Sequence, residues 1–86
     1  AYLLLANILI GEKRYQEAIS LYEKALKLAV DKTKIYVLMA NAYMMLENIK
    51  DAAKYYRLAM KEDPDNLEIK LIYIDIANNF ITKKVA

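Results

Sequence analysis

The sequence predicts an all-α fold of stacked helix-turn-helix repeats, and three observations carry that prediction. The first is a self-similarity at an offset of 34 residues, through Tyr2/Tyr36, Leu4/Leu38, Ala6/Ala40, Asn7/Asn41, Ala18/Ala52, Tyr22/Tyr56, Ala25/Ala59, Lys27/Lys61, Asp31/Asp65 and Ile35/Ile69. A period of this size marks an array in which one unit cannot bury its own apolar face and stacks on a neighbour. The second is composition: 58% hydrophobic and 28% charged, with one Gly and one Pro in 86 residues, suits packed helices rather than disorder or a β-sandwich. The third is spacing, because apolar residues at 18, 19, 22, 25, 26 and 29 follow the three-four rhythm of an amphipathic helix.

Breakers and caps divide the chain into five helical segments. The first runs from about Ala1 to Ile10 and stops at the polar break Gly11 to Arg14. The second runs from about Tyr15 to Val30, and Asp31 to Thr33 ends it and caps the third, which spans about Thr33 to Leu46. Asn48 caps the fourth, with Asp51 three residues on in the acceptor position of a capping box. The fourth stops before Asp63-Pro64-Asp65-Asn66, because proline disfavours helix in the residue before it. Asp65 or Asn66 then caps the fifth, from about Leu67 to Ile81 or a little further. Connections of three or four residues make successive helices antiparallel neighbours. Small residues at Ala6, Ala18, Ala25 and their mates Ala40, Ala52, Ala59 allow close backbone approach, and Tyr22 and Tyr56 fill the space between units.

A chain of this length buries roughly 60–65% of its unfolded surface, so no large core or enclosed catalytic cavity is expected. The formal charge is +2, from 13 basic and 11 acidic residues interspersed along the sequence, which gives no strong electrostatic case for a polyanion partner. With no Cys there are no disulfides and no thiolate metal sites, and the compartment stays open. The apolar stretch Ala1 to Gly11 has no basic leader, falls short of the ~20 residues of a membrane span, and recurs as Ile35 to Met45, so it reads as a packed repeat helix. The chain opens mid-pattern without an initiator Met, the expectation for a piece of a longer array.

These residues resemble the tetratricopeptide repeat family. Tyr2, Leu5, Ala6, Leu9, Ala18, Tyr22 and Ala25 match the family's pattern of aromatic, Leu and small sites, with Val30 where its Pro would stand. Tyr36, Met39, Ala40, Tyr43, Ala52, Tyr56, Ala59 and Pro64 make a nearly complete second match. The fifth segment departs from it: Lys70 stands at the aromatic site, Tyr73 at the Leu site and Ile74 at the small site, which reads as a degenerate first helix or a terminal cap. The resemblance implies a right-handed solenoid in one domain, with unit one at 1–32, unit two at 33–66 and a terminal helix at 67–83.

It also implies a function, a non-catalytic protein-interaction module whose first helices line a concave groove. On those helices the groove stripe reads Leu3, Asn7, Ile10, then Val37, Asn41, Met44, then Leu71, Asp75, Asn78. Asn7, Asn41 and Asp75 are positioned to hydrogen-bond a ligand backbone, while Leu3, Val37 and Leu71 receive apolar side chains and Met44 with Met45 adds an adaptable surface. The expected partner is an apolar or amphipathic peptide or helix, in a scaffold for a multiprotein complex. Two plainer readings stand beside it: the aliphatic row is covered by a neighbouring unit, or the amides bond within the scaffold.

A subset of the family grips C-terminal carboxylates of chaperone tails with cations. Here those positions hold Leu3, Leu38, Glu68 and Ile72 when Asn7 is the anchor, and Val37 and Ile72 fall in the wrong roles when Asn41 is, so no carboxylate clamp is expected. The alternative to a groove is structural, with apolar ends at Tyr2, Leu5 and the fifth segment stacking end to end. A third reading, RNA or an anionic membrane on the basic stripe Lys24, Lys27, Lys54, Arg57 and Lys61, is weakened by Glu17, Glu23, Asp51 and Glu62 beside it.

Enzyme chemistry has no foothold in the sequence. There is no His for general base catalysis or zinc, no thiol nucleophile, and no phosphate loop, the one glycine being Gly11. Asp63-Pro64-Asp65 with Glu68 lacks the glycine and later Glu of a calcium loop and reads as helix capping. The reading is no enzyme, no cofactor and no metal.

Overall fold

The computed structural model describes residues 2–29 and 31–85, with side chains described through 78. The elements are α1 (Tyr2–Gly11), α2 (Tyr15–Leu28), α3 (Thr33–Met45), α4 (Ile49–Glu62) and α5 (Leu67–Val85), with no strand among the described residues. Each helix packs chiefly on its predecessor and successor, α1 on α2, α2 on α3, α3 on α4 and α4 on α5. The radius of gyration, 13.1 Å, exceeds the ~12 Å of a compact chain this long, as a row of neighbour-packed helices requires.

The ends of the helices show how far local chemistry decides the fold. Asn48 accepts the Asp51 N–H at 3.3 Å and donates its own side-chain amide to the Asp51 carboxylate at 2.7 Å, so the box closes through the side chain of Asn48. Asn66, not Asp65, caps α5, accepting the Ile69 N–H at 3.3 Å. Asp31 accepts the Thr33 N–H at 3.0 Å from two residues ahead of α3, whose N-cap position, Lys32, makes no side-chain cap bond. α2 ends at Leu28, two residues short of the sequence reading, because Ala29 turns to extended backbone; Val30 lies outside the described residues. α5 continues past Ile81 to Val85.

Gly11 is not where the first helix turns away. It closes α1, and the left-handed residue is Lys13, φ 64°, repeated 34 residues later by Glu47, φ 61°. At both places the chain closes the helix by a six-to-one bond, Arg14 N–H to the Leu9 carbonyl and Asn48 N–H to the Tyr43 carbonyl, each 2.9 Å. A side chain with Cβ is strained in that conformation and glycine is not. Lys13→Gly and Glu47→Gly are therefore expected to stabilise the fold by about 0.5–1 kcal/mol each in urea unfolding. A loss of stability in both would contradict it.

Packing then repeats with the sequence. Ala6, Leu9, Ala18, Ile19, Tyr22 and Ala25 bury themselves together with Ile35, Met39 and Ala42, so α3 is the lid of the first helix pair. Ala40, Ala52, Tyr56 and Ile76 form the second buried cluster, which α5 joins through Ile76. The alanines at the crossings are fully buried in both pairs, Ala6, Ala18, Ala40 and Ala52 at 0% exposed. No buried side-chain polar atom among the described residues lacks a partner.

Candidate functional site

The nine stripe residues fall on the first, third and fifth helices, as the helical spacing requires, and the structure separates them into anchored and free members. Leu3 and Ile10 are half-buried against the first cluster, and Val37 and Met44 against the second. Leu3 also borders a shallow depression of about 250 Å³ with Tyr2, Ala25, Leu28, Ala29 and Ile35. Leu71 is 66% exposed, and Asp75 and Asn78 are exposed as well. The stripe is thus fixed to the scaffold along α1 and α3 and open along α5.

Asn7 and Asn41 are exposed, yet each is held from below. The Tyr22 hydroxyl donates to Asn7 Oδ1 at 3.2 Å, and the Tyr56 hydroxyl donates to Asn41 Oδ1. Both phenols are almost wholly buried, and burial pushes their pKa up, which keeps them protonated donors at neutral pH. With Oδ1 occupied, the amide orientation is set and the two Nδ2 hydrogens remain to donate. The scaffold bond and a binding role therefore coexist on one side chain.

These tyrosines carry a role that sequence reading assigned only to space filling. A signal was there: Asn7 to Tyr22 and Asn41 to Tyr56 repeat together with the same separation of 15 residues. The contacts of a second aromatic group were not read from the sequence, where Tyr36 and Tyr43 stood only as pattern sites and Tyr55 was not named. Tyr43 stacks on Tyr55 at 5.4 Å between centroids, and Tyr36 tilts against Tyr55 at 6.1 Å, where the first pair has Leu9 and Leu21 at the registers of Tyr43 and Tyr55. Burial also raises both of these phenols.

Among the described residues no three His, Cys, Asp or Glu side chains come together to hold a metal ion. None of the helices is long and apolar enough to cross a membrane, counting the described residues. What the site offers is aliphatic half-pockets and oriented amide donors, the requirements for seating a polypeptide.

A 72-residue stretch, 83% of the chain, is 29% identical to the transcription factor tau 131 kDa subunit of Saccharomyces cerevisiae, of which it spans 7%. Residues 9–73 match the profile of the tetratricopeptide repeat, a family that is generally non-catalytic and typically binds proteins. Five helices, two buried clusters repeated at the sequence period, and a family match over most of the length lead to one assignment: the chain belongs to the tetratricopeptide repeat family.

Proposed function

We propose that the chain binds a peptide or helical segment of a partner protein along Leu3, Val37 and Leu71 and the amide row Asn7, Asn41 and Asp75, and so scaffolds a multiprotein complex. The observation that carries this reading is the pair of exposed asparagines, each clamped at Oδ1 by a buried tyrosine and left with its Nδ2 hydrogens facing no partner among the described residues. Donors oriented before binding lose less freedom on association than mobile ones. The half-buried aliphatics beside them would seat apolar side chains of the ligand, with Ile10, Met44 and Asn78 as the flank. The name of the yeast relative, a subunit of a transcription factor, supports a place in a multisubunit assembly.

Peptides of apolar or amphipathic composition selected against the chain from a random library test it. Val37→Arg with Asn41→Glu is expected to weaken selected peptides by about tenfold or more, roughly 1.4 kcal/mol, with helix content unchanged. Glu at 41 still accepts from Tyr56, and Arg at 37 can carry its charge out to water. Peptides indifferent to the double substitution would remove the groove from consideration.

A second reading, end-to-end self-association, is favoured by one contrast. Leu5 and Ile8 on α1 are 49% and 52% exposed, whereas Met39 and Ala42, their counterparts on α3, are 0% and 1% exposed because the first pair covers them. The face of α1 has the apolar pattern of a junction and no described helix on it. Sedimentation over a concentration series is expected to show mass growing with concentration, and Leu5→Glu with Ile8→Lys is expected to abolish that growth. A monomer at every concentration refutes this reading and leaves the groove untouched.

A further inference from the structure

Laying one helix pair on the next by the period of 34 exposes a place where the two junctions differ. At the first junction Ile19 and Met39 lie together in the buried cluster, 3% and 0% exposed. Their counterparts at the second are Ala53 and Tyr73, both only half-buried. Alanine in place of isoleucine leaves space beside the tyrosine. A depression of about 330 Å³ opens there between α4 and α5, lined by Lys50, Asp51, Ala53, Lys54, Arg57 and Tyr73.

Charge changes at the same place. The first junction has Gln16, Ser20 and Glu23 at the registers of Lys50, Lys54 and Arg57, so a formal charge of −1 becomes +3. The three cations are exposed and make no salt bridge among the described residues, whose ion pairs all belong to Arg14. Asp51, the one carboxylate at the rim, is held by the Asn48 amide at 2.7 Å. The result is an apolar and aromatic floor beside a row of cations on α4.

We infer that this depression docks an acidic peptide segment bearing an apolar side chain between carboxylates. The apolar side chain rests on Ala53 and Tyr73, and the carboxylates meet Lys50, Lys54 and Arg57, whose planar guanidinium suits bidentate pairing. The three cations lie in one row within eight residues of α4, roughly 10 Å from first to last, and line that side of the hollow, with Tyr73 across from them on α5. A polyphosphate backbone or a lipid surface presents a long or flat charge and leaves such a hollow unfilled. No residue of the proposed groove takes part, so the two sites stand or fall separately.

The test titrates the isotopically labelled chain with acetyl-Glu-Asp-Leu-Glu-Asp-amide and with the same peptide carrying Gly for Leu, following amide resonances. The leucine peptide is expected to shift the resonances of Ala53, Arg57 and Tyr73, with affinity falling as salt rises from ~0.05 to ~0.3 M. Replacing the cations by the first junction's residues, Lys50→Gln with Lys54→Ser and Arg57→Glu, is expected to weaken it about tenfold at ~0.1 M salt with unchanged circular dichroism. Ala53→Ile, which covers the floor beside Tyr73, is expected to bring the leucine peptide down to the affinity of the glycine peptide. Shifts confined to other residues overturn the proposal. So does a triple variant that folds and binds as before, or single-stranded RNA or phosphatidylserine vesicles that outcompete the leucine peptide at equal charge.

Discussion

Tyr22→Ala is expected to lower the stability of the chain by about 3–5 kcal/mol, as deletion of a buried aromatic does. Tyr22 is 1% exposed and lies in the cluster that joins α1, α2 and α3, so its removal opens a cavity at the one junction shared by both helix pairs. A chain of this size has a total of roughly 4–13 kcal/mol, so the variant is close to unfolding. Tyr22→Phe separates the ring from the hydroxyl. It keeps the packing and removes only the bond to Asn7, whose oxygen is at the surface and returns to water, for a cost of about 1 kcal/mol. Tyr56, 2% exposed and bonded to Asn41, is expected to behave in the same way. Urea unfolding measures both series, and a Phe variant as damaged as the Ala variant would contradict this division of roles.

The same phenols set an upper pH limit. Burial raises the pKa of Tyr22 and Tyr56 in the folded chain above the ordinary value of 10.0, so the unfolded chain ionises first as pH rises. Their contribution is complete below pH ~10 and is lost as pH climbs through the folded values. Stability is therefore expected to fall above pH ~10, and less steeply in Tyr22→Phe with Tyr56→Phe.

Ala40→Ile is the second large effect. Ala40 is 0% exposed beside Ala52, where α3 and α4 cross, and three more carbon atoms cannot enter without parting the helices. Overpacking of this kind costs about 2–3 kcal/mol, or roughly 10–20 °C in melting temperature for a domain this small. The reverse exchange at the same register, Ile74→Ala, is expected to change stability by no more than about 0.5 kcal/mol, because Ile74 is 52% exposed and no described helix crosses it. Equal effects at the two positions would mean that α5 packs as α3 does.

Much of this was legible in the residues because it is local or periodic. Asn48 and Asn66 announce helix starts by side-chain chemistry that acts within three residues. Ala6, Ala18 and their mates announce close crossings, since identical residues at a fixed period meet identical surroundings. The break was read at Gly11 to Arg14 and falls there, but the reading did not say which residue takes the positive φ; it is Lys13, and Glu47 one period on, because helix closure is set by which carbonyls need partners and not by the nearest glycine. The stripe residues were named by spacing, but spacing does not say that Asn7 is held by Tyr22, a bond across two helices.

By itself the sequence determined the helices, their repeat and the family, because caps, periodicity and small-residue positions act through neighbours along the chain. Only the tertiary structure decided which members of that repeat are equivalent in space. Leu5 and Met39 share a register, yet one is bare and the other covered; Ile19 and Ala53 share another, yet one fills its junction and the other opens a hollow. Burial belongs to pairs of helices, and a residue's exposure depends on whether the partner helix is there to meet it.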